Sequence, residues 1–305
     1  MRAGVFLPHM GTGMSPLALV ASARRAEELG YDNVWVAERL LYPTAPRSQY
    51  PATPDGSLPS MYRRSLTPIE TLTYVAAHTT RIGLGTSVLI MPLHNPVMLA
   101  RQLASLDVLS GGRLRVGLGQ GWSVDEIEAA GSTTNGRAAR ADEFVEVLKT
   151  VWTTDPAAHA GTHYTLPEST MLPKPAQKPH PPIYMAAYAP DALKRTGRLA
   201  DGWMPAGVPL AAVWQMMSQV REAAWAAGRE AMKLELLILA FPAILPTSPG
   251  ENRPDFVGTL DEIRRDVEKA REIGATEIIF TPGCSTGDLV IEEYTAGLET
   301  LRALV

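Results

Sequence analysis

Cysteine is almost missing from this chain: Cys284 is the only one among 305 residues. An internal disulfide is therefore excluded, and the usage suits a reducing, cytoplasmic setting. Histidine is scarce too, with six in all. His159 and His163 stand four apart, but Gly161 separates them in a proline-bounded loop, so no shared helical face and no metal site is expected. No long apolar run occurs either. The longest, 234–245, contains Glu235 and Pro242 and is too short to cross about 30 Å of hydrocarbon. Residues 1–9 read as a short strand rather than an export signal, so no membrane partner is expected. Basic charge is also lacking. With 28 Lys and Arg against 32 Asp and Glu, the formal net charge is -4, which argues against a nucleic-acid partner, since that would need a basic face.

What is present is apolar residue, at 46% of the chain, and it is arranged in two alternating periods. Eight β-rich runs, at 4–8, 33–37, 82–91, 114–118, 182–187, 202–204, 234–241 and 277–281, alternate with amphipathic stretches. Those stretches lie near 15–29, 68–79, 96–109, 137–152, 190–199, 209–228, 259–273 and 290–304. Ser15-Pro16 and Asn95-Pro96 each join an N-cap side chain to a proline whose missing N–H costs nothing in the first turn. Thr259 and Glu262 have capping-box spacing, and Gly274 is placed to end the same helix. Glu28-Leu29-Gly30 before Val34-Trp35-Val36 is echoed by Glu272-Ile273-Gly274 before Ile278-Ile279-Phe280, twice spelling helix, glycine stop, buried strand.

This pattern predicts an α/β fold: a single (β/α)8 TIM barrel spanning 1–305, with long insertions at its C-terminal mouth. An open doubly wound sheet is the alternative. Segments 39–66, 122–136, 155–181 and 242–258 exceed ordinary loops, and all but 155–181 directly follow a strand. Pro173, Pro175, Pro179, Pro181 and Pro182, at the end of 155–181 and just past it, predict an extended, stiff path there.

Glycines mark two strands. Gly83 and Gly85 interrupt the third, where glycine signals a bulge or a close backbone approach. Gly117, Gly119 and Gly121 follow the fourth as G-L-G-Q-G, which is not the dinucleotide fingerprint. Either these make a tight turn, or their missing Cβ atoms admit a flat ring. The order GTSV (85–88), HNPVMLARQLASLDVLSGGR (94–113) and VGLGQGW (116–122) resembles the luciferase-like monooxygenase superfamily, and within it the branch that uses the deazaflavin coenzyme F420. The stretches RAARADEFVEVLKTVW (137–152) and PIYMAAYAPDALKRTGRLADGW (182–203) extend the likeness over nearly the whole chain.

The resemblance implies a set of site residues. The Ser87–Val88 peptide would be a non-prolyl cis bond forming a backrest behind the coenzyme ring. Gly119, Gln120, Gly121 and Trp122 would border that ring. Ala187, Tyr188, Ala189 and Pro190 open a helix whose free amides would take the coenzyme phosphate, although family members often carry glycine or serine there. Glu38 and Arg39 end strand two. Sugar and alcohol dehydrogenases of the branch have an aspartate–histidine pair at those positions and a glutamate where this chain has Trp122. The candidate catalytic residues are therefore Arg39, Glu38 and His9, with Glu38 also toward the ring edge. His94 reads as a turn or cap residue, and Arg137, Arg140, Asp142 and Glu143 as an ion-pair network.

The expected cofactor is coenzyme F420, with FMN as the alternative, and the expected partner is a small-molecule substrate; the resemblance also implies a homodimer. Three readings follow: a hydride-transferring oxidoreductase working from reduced F420 on an unsaturated or carbonyl compound, an FMN-dependent monooxygenase, or a flavin-binding protein without catalysis. Arg39, Arg47, Arg63 and Arg64, in or beside segment 39–66, could be a solvated basic loop or a patch for the polyanionic tail that F420 has and FMN lacks.

Overall fold

The local signals read above act where they stand. Ser15 accepts from the backbone of Ala18, Asn95 from those of Val97 and Met98, and Thr259 closes a capping box with Glu262. Gly30 and Gly274 stop their helices at φ +78 and +90, where a Cβ would be strained. In the computed structural model, which describes residues 1–53, 55–282 and 291–305, these helices are α1 (Pro16–Glu28), α2 (Pro68–Ala76), α3 (Pro96–Leu109), α4 (Arg137–Thr153), α5 (Pro190–Leu199), α6 (Leu210–Ala226), α7 (Leu260–Glu272) and α8 (Ile291–Arg302). Cys284 lies outside the described residues, as does Val290, where the eighth amphipathic stretch begins.

The strands are β1 (Arg2–Phe6), β2 (Asn33–Val36), β3 (Gly83–Thr86), β4 (Leu114–Gly119), β5 (Ile183–Met185), β6 (Gly202–Trp203), β7 (Glu235–Ala240) and β8 (Glu277–Phe280). Each pairs in parallel with the next, and β8 pairs with β1 through Arg2↔Glu277 to Val5↔Phe280. The sheet is thus a closed eight-stranded barrel, and the open doubly wound alternative is excluded. The run 82–91 is broken in two: after β3 comes the Ser87–Val88 peptide, which is cis, and then a short strand Leu89–Ile90 paired only with β4. The stiff path expected for 155–181 needs correction. Its first half is an antiparallel hairpin, Ala157–Ala160 with Thr165–Ser169, docked on α4 because Glu143 accepts from the backbone of His163 and Tyr164 and from His159 Nε2.

Strand period two sorts the core into two layers. Val34 and Val36 point outward into the large core against the helices, while Trp35 points into the barrel with Tyr184, Met204, Leu237 and Ile279. The indole fits only because its neighbours lack side chains. A Cβ on Gly85 would lie 2.1 Å from the Trp35 ring, and one on Gly4 2.6 Å from its Nε1. Trp35 Nε1 donates to Glu277 at 2.8 Å, and Asn33 and Arg2 donate to the same fully buried carboxylate. Burial pushes the Glu277 carboxyl upward, against Arg115, Arg2 and the two neutral donors. Arg2 and Tyr184 also reach Glu235, at 2.8 and 2.5 Å.

Gly85→Ala therefore overpacks the barrel. Urea unfolding should show a loss of about 1–3 kcal/mol, whereas Gly111→Ala, where a Cβ meets nothing within 4 Å, tests the backbone penalty of φ +69 alone. Equal losses in the two variants would show that Trp35 can yield.

Candidate active site

Chemistry on a parallel barrel gathers where the strands end, because side chains from separate loops converge there. Just past β2, Glu38 is buried and its carboxylate is already engaged. Oε2 accepts from the Ile90 amide at 2.6 Å, and both oxygens face His94 Nε2, at 2.9 and 3.1 Å. His94 is thus a partner of Glu38 rather than a turn or cap residue; the cap of α3 is Asn95.

Arg39 is held on every side. Nε donates to the Glu38 carbonyl at 2.7 Å, Nη1 pairs with Glu126 at 3.1 Å, and the guanidinium lies 5.3 and 5.1 Å from the ring centres of Tyr62 and Trp122. Its Nη2 has no partner among the described residues. Glu126, on the short helix Val124–Ala129, is 2% exposed; its Oε1 accepts from Leu40 and its Oε2 has the Arg39 ion pair alone. Tyr50 packs edge-on against Trp122 at 5.3 Å and shares a hydroxyl–hydroxyl hydrogen bond of 2.7 Å with Tyr62. One buried carboxylate and three aromatic rings thereby fasten the long loop after β2 to the turn after β4.

The glycines of that turn lie against side chains of the protein itself. A Cβ on Gly119 would come within 2.6 Å of Val88, and one on Gly121, at φ +68, equally close to Ile90. They seat the segment that follows the cis peptide, bringing Ser87, Val88, Gly119 and Gly121 together. Gln120 turns the other way, donating to the Arg137 carbonyl at 3.3 Å, while Arg137 returns a hydrogen bond to the Gly121 carbonyl. Tyr164, from the hairpin, lines a small recess with Gln120, Arg137, Arg140 and Phe144, which is how segment 155–181 approaches the mouth. The network expected of Arg137, Arg140, Asp142 and Glu143 does not form. Asp142 pairs with Arg195 and Arg198, Glu143 holds the hairpin, and Arg140 meets the Thr133 carbonyl.

After β5, the Ala187 carbonyl accepts from Trp203 Nε1, and the half-exposed Tyr188 takes the Ala206 amide on its hydroxyl at 3.3 Å. Ala189 begins α5 without a side-chain cap and Pro190 occupies the first turn, so the first amides of α5 are left for a ligand or water. Asp191 points outward, almost fully exposed and paired with Lys194. His9 stands apart. Its Nδ1 faces the Leu7 carbonyl at 2.8 Å and its Nε2 takes the Ala37 amide at 2.9 Å, so backbone occupies both ring nitrogens. Among the described residues no cluster of three or more metal-ligating side chains occurs, and no helix is long and apolar enough to cross a membrane.

His94, Glu126, Tyr50 and Tyr62 are the members that sequence reasoning passed over. Ser123 and Glu126 do have capping-box spacing, and Ser123 does accept from the Glu126 amide, but the glutamate side chain turns to Arg39 instead. The other three carry no local pattern.

Known proteins resemble this chain in sequence and in fold. The model of the luciferase-like monooxygenase family matches residues 1–249. A protein of Mycobacterium tuberculosis without an assigned role is 35% identical over 67% of this chain and 72% of its own length. An F420-dependent glucose-6-phosphate dehydrogenase of Kineococcus radiotolerans is also 35% identical, over 62% of this chain and 52% of its own. Among solved structures, the monooxygenase RslO1 of Streptomyces bottropensis superposes with a TM-score of 0.81 at 25% identity, covering 100% of this chain and 98% of that one. An F420-dependent secondary alcohol dehydrogenase shares the fold at a TM-score of 0.78 and 17% identity, with the same coverage.

The buried His9 ring generates a pH dependence. Burial lowers its pKa to about 4, against two backbone hydrogen bonds that act the other way. The unfolded chain binds that proton near pH 6.5, so stability is full above that value and falls as the pH drops toward 4. The loss should reach about 3 kcal/mol. Denaturation of wild type and His9→Gln at pH 7.5 and 4.5 checks this: the variant should start lower and lose less, and parallel profiles would assign the acid sensitivity elsewhere.

Proposed function

The chain belongs to the luciferase-like monooxygenase family, and from that premise we propose that it moves a hydride from reduced coenzyme F420 to a small molecule bearing a carbonyl or an activated double bond. As a member of this class it is an oxidoreductase, which sets aside the reading of a flavin store without catalysis. The observation that carries the proposal is the guanidinium of Arg39, fixed at the end of β2 between Tyr62 and Trp122 with Nη2 uncommitted. A guanidinium is no base at any working pH. It is a donor suited to an oxygen on which negative charge grows, which is the demand of carbonyl reduction rather than of alcohol oxidation.

The residues fit the coenzyme. The uncapped start of α5 offers amides to a phosphate, and the Val88 side chain and the Gly119 backbone form one contiguous wall. When bound, the reduced deazaflavin supplies the hydride. Ser87, Val88, Gly119, Gly121 and Trp122 would border its ring, while Ala187 to Pro190 would take its phosphate. Arg39 would orient the acceptor oxygen, and the rings of Tyr50, Tyr62 and Trp122 would keep water from it.

F420 is favoured over FMN by the arginines around the long loop. Arg47 is neutralised by Asp125 and Glu128, and Arg39 by Glu126, which leaves the exposed Arg63, stacked 4.7 Å from the Tyr42 ring, and Arg64. These two suit an anionic tail. A second reading, an FMN-dependent monooxygenase, draws support from the full-length likeness to RslO1.

Fluorescence titration of the purified protein with each coenzyme separates the two. F420 should bind, and Arg63→Ala with Arg64→Ala should weaken it roughly three- to thirty-fold, at ~0.3–1 kcal/mol per exposed contact, without changing FMN affinity. Salt should weaken it as well, since exposed charges are screened beyond ~8 Å at physiological ionic strength. Tighter binding of FMN than of F420 would favour the monooxygenase. In turnover, reduced F420 should be consumed with an enone or quinone, while glucose-6-phosphate and 2-propanol should fail to reduce oxidised F420. Rapid alcohol-dependent reduction would reverse the assigned direction.

A further inference from the structure

Reduction by hydride is incomplete without a proton, and Arg39 does not supply one. The groups at the mouth that could are soon counted. His9 has backbone on both ring nitrogens and Glu126 is held by Leu40 and Arg39, while a tyrosine hydroxyl, the other kind of O–H there, is in general a much weaker acid than an imidazolium. What remains is the pair of Glu38 and His94. Glu38 is anchored by the Ile90 amide at 2.6 Å, so its carboxylate is fixed before it meets the imidazole at 2.9 Å. That contact makes Nε2 the donor toward the carboxylate and turns the other nitrogen, Nδ1, away from it. Nδ1 has no partner among the described residues, and the His94 side chain is 20% exposed against 9% for Glu38. Among the described residues no other histidine near the strand ends has a ring nitrogen both free and open to solvent.

We propose that His94 is the proton donor of the reaction, and Glu38 the positioning residue that orients it. This rests on the hydride-transfer reading above. As the hydride forms its new bond to the acceptor, to carbon in a carbonyl compound or enone and to one oxygen in a quinone, the π-electron pair moves to the oxygen that takes the proton; the Nδ1–H bond of the imidazolium breaks and an O–H bond forms there. The coenzyme is oxidised by two electrons, the acceptor is reduced by two, and His94 returns to its neutral form with Nε2–H still on Glu38, to be reprotonated from water through its open edge. The carboxylate fixes which nitrogen faces the acceptor.

Two measurements test this, one of them free of turnover. Diethyl pyrocarbonate should acylate His94 in the free protein, read by peptide mass spectrometry, and saturating oxidised F420 with menadione should block it. An unreactive His94, or one acylated equally in both states, overturns the proposal. In single turnovers, the oxidation of bound reduced F420 by menadione, a quinone that takes up a hydride and a proton, should slow by about 10²-fold in His94→Gln. His94→Ala should be partly rescued by added imidazole, and Glu38→Gln, which keeps an acceptor for the Ile90 amide, should show an intermediate loss that imidazole does not restore. A His94→Gln rate equal to wild type overturns the assignment. If wild type binds F420 but does not react with menadione, the hydride-transfer reading fails by itself, and the acylation result alone then decides whether His94 lies in the pocket.

Discussion

The indole of Trp35 inside the barrel is the contact on which the rest of the structure depends. A parallel barrel of eight strands has an interior just wide enough for packed side chains, and here one of the bulkiest takes the space of several. It faces glycines on both flanking strands, Gly4 on β1 and Gly85 on β3, and its N–H is spent on a carboxylate with no access to water. An aromatic ring of this size buries on the order of 150–250 Å², but its N–H and the Glu277 charge would each be costly alone. Indole, amide and guanidinium donors meet the carboxylate together, so the three strands that carry Trp35, Gly85 and Glu277 share one fixed register. That register sets the ends of β2 and β3 beside one another, and much of the mouth is built on those ends.

The mouth then repeats the logic with charge. Glu126 is buried and serves the Leu40 amide and the Arg39 guanidinium at once, which ties a loop of almost thirty residues to a single turn of helix. Removing either partner would strand the other, at a cost of about 3–5 kcal/mol for an uncompensated buried charge. The same pairing leaves one nitrogen of Arg39 free and gives the guanidinium a fixed direction. Glu38 is fixed by the Ile90 amide in a comparable way, and its reach to His94 restores a carboxylate–imidazole pair from two separate elements. Dehydrogenases of the F420-using branch are expected to have both groups next to each other at the end of β2. Here Arg39 occupies the second place, and the imidazole that meets Glu38 belongs to the loop after β3.

The glycines show how one residue type answers to different constraints. Gly85 makes room for Trp35, Gly119 for Val88 and Gly121 for Ile90. The sequence left Gly85 open between a bulge and a close approach, and Gly119 and Gly121 between a tight turn and room for a flat ring; beside each stands a side chain of the protein itself.

What the sequence alone determined is whatever depends on neighbours along the chain. Eight strands and eight helices follow from apolar period, from Ser15, Asn95 and Thr259 as caps, and from Gly30 and Gly274 as stops, because each of these acts within one turn or one pleat. The family likeness likewise placed the cis peptide at Ser87–Val88. Tertiary structure decided the closure of β8 on β1, the hairpin within 155–181, and every pairing at the mouth. Glu38 and His94 are 56 positions apart, and no local period links them or Arg39 to Glu126. Their meeting depends on the path of each loop over the barrel rim, and that path is set by which buried charges and rings find partners once the strands have closed.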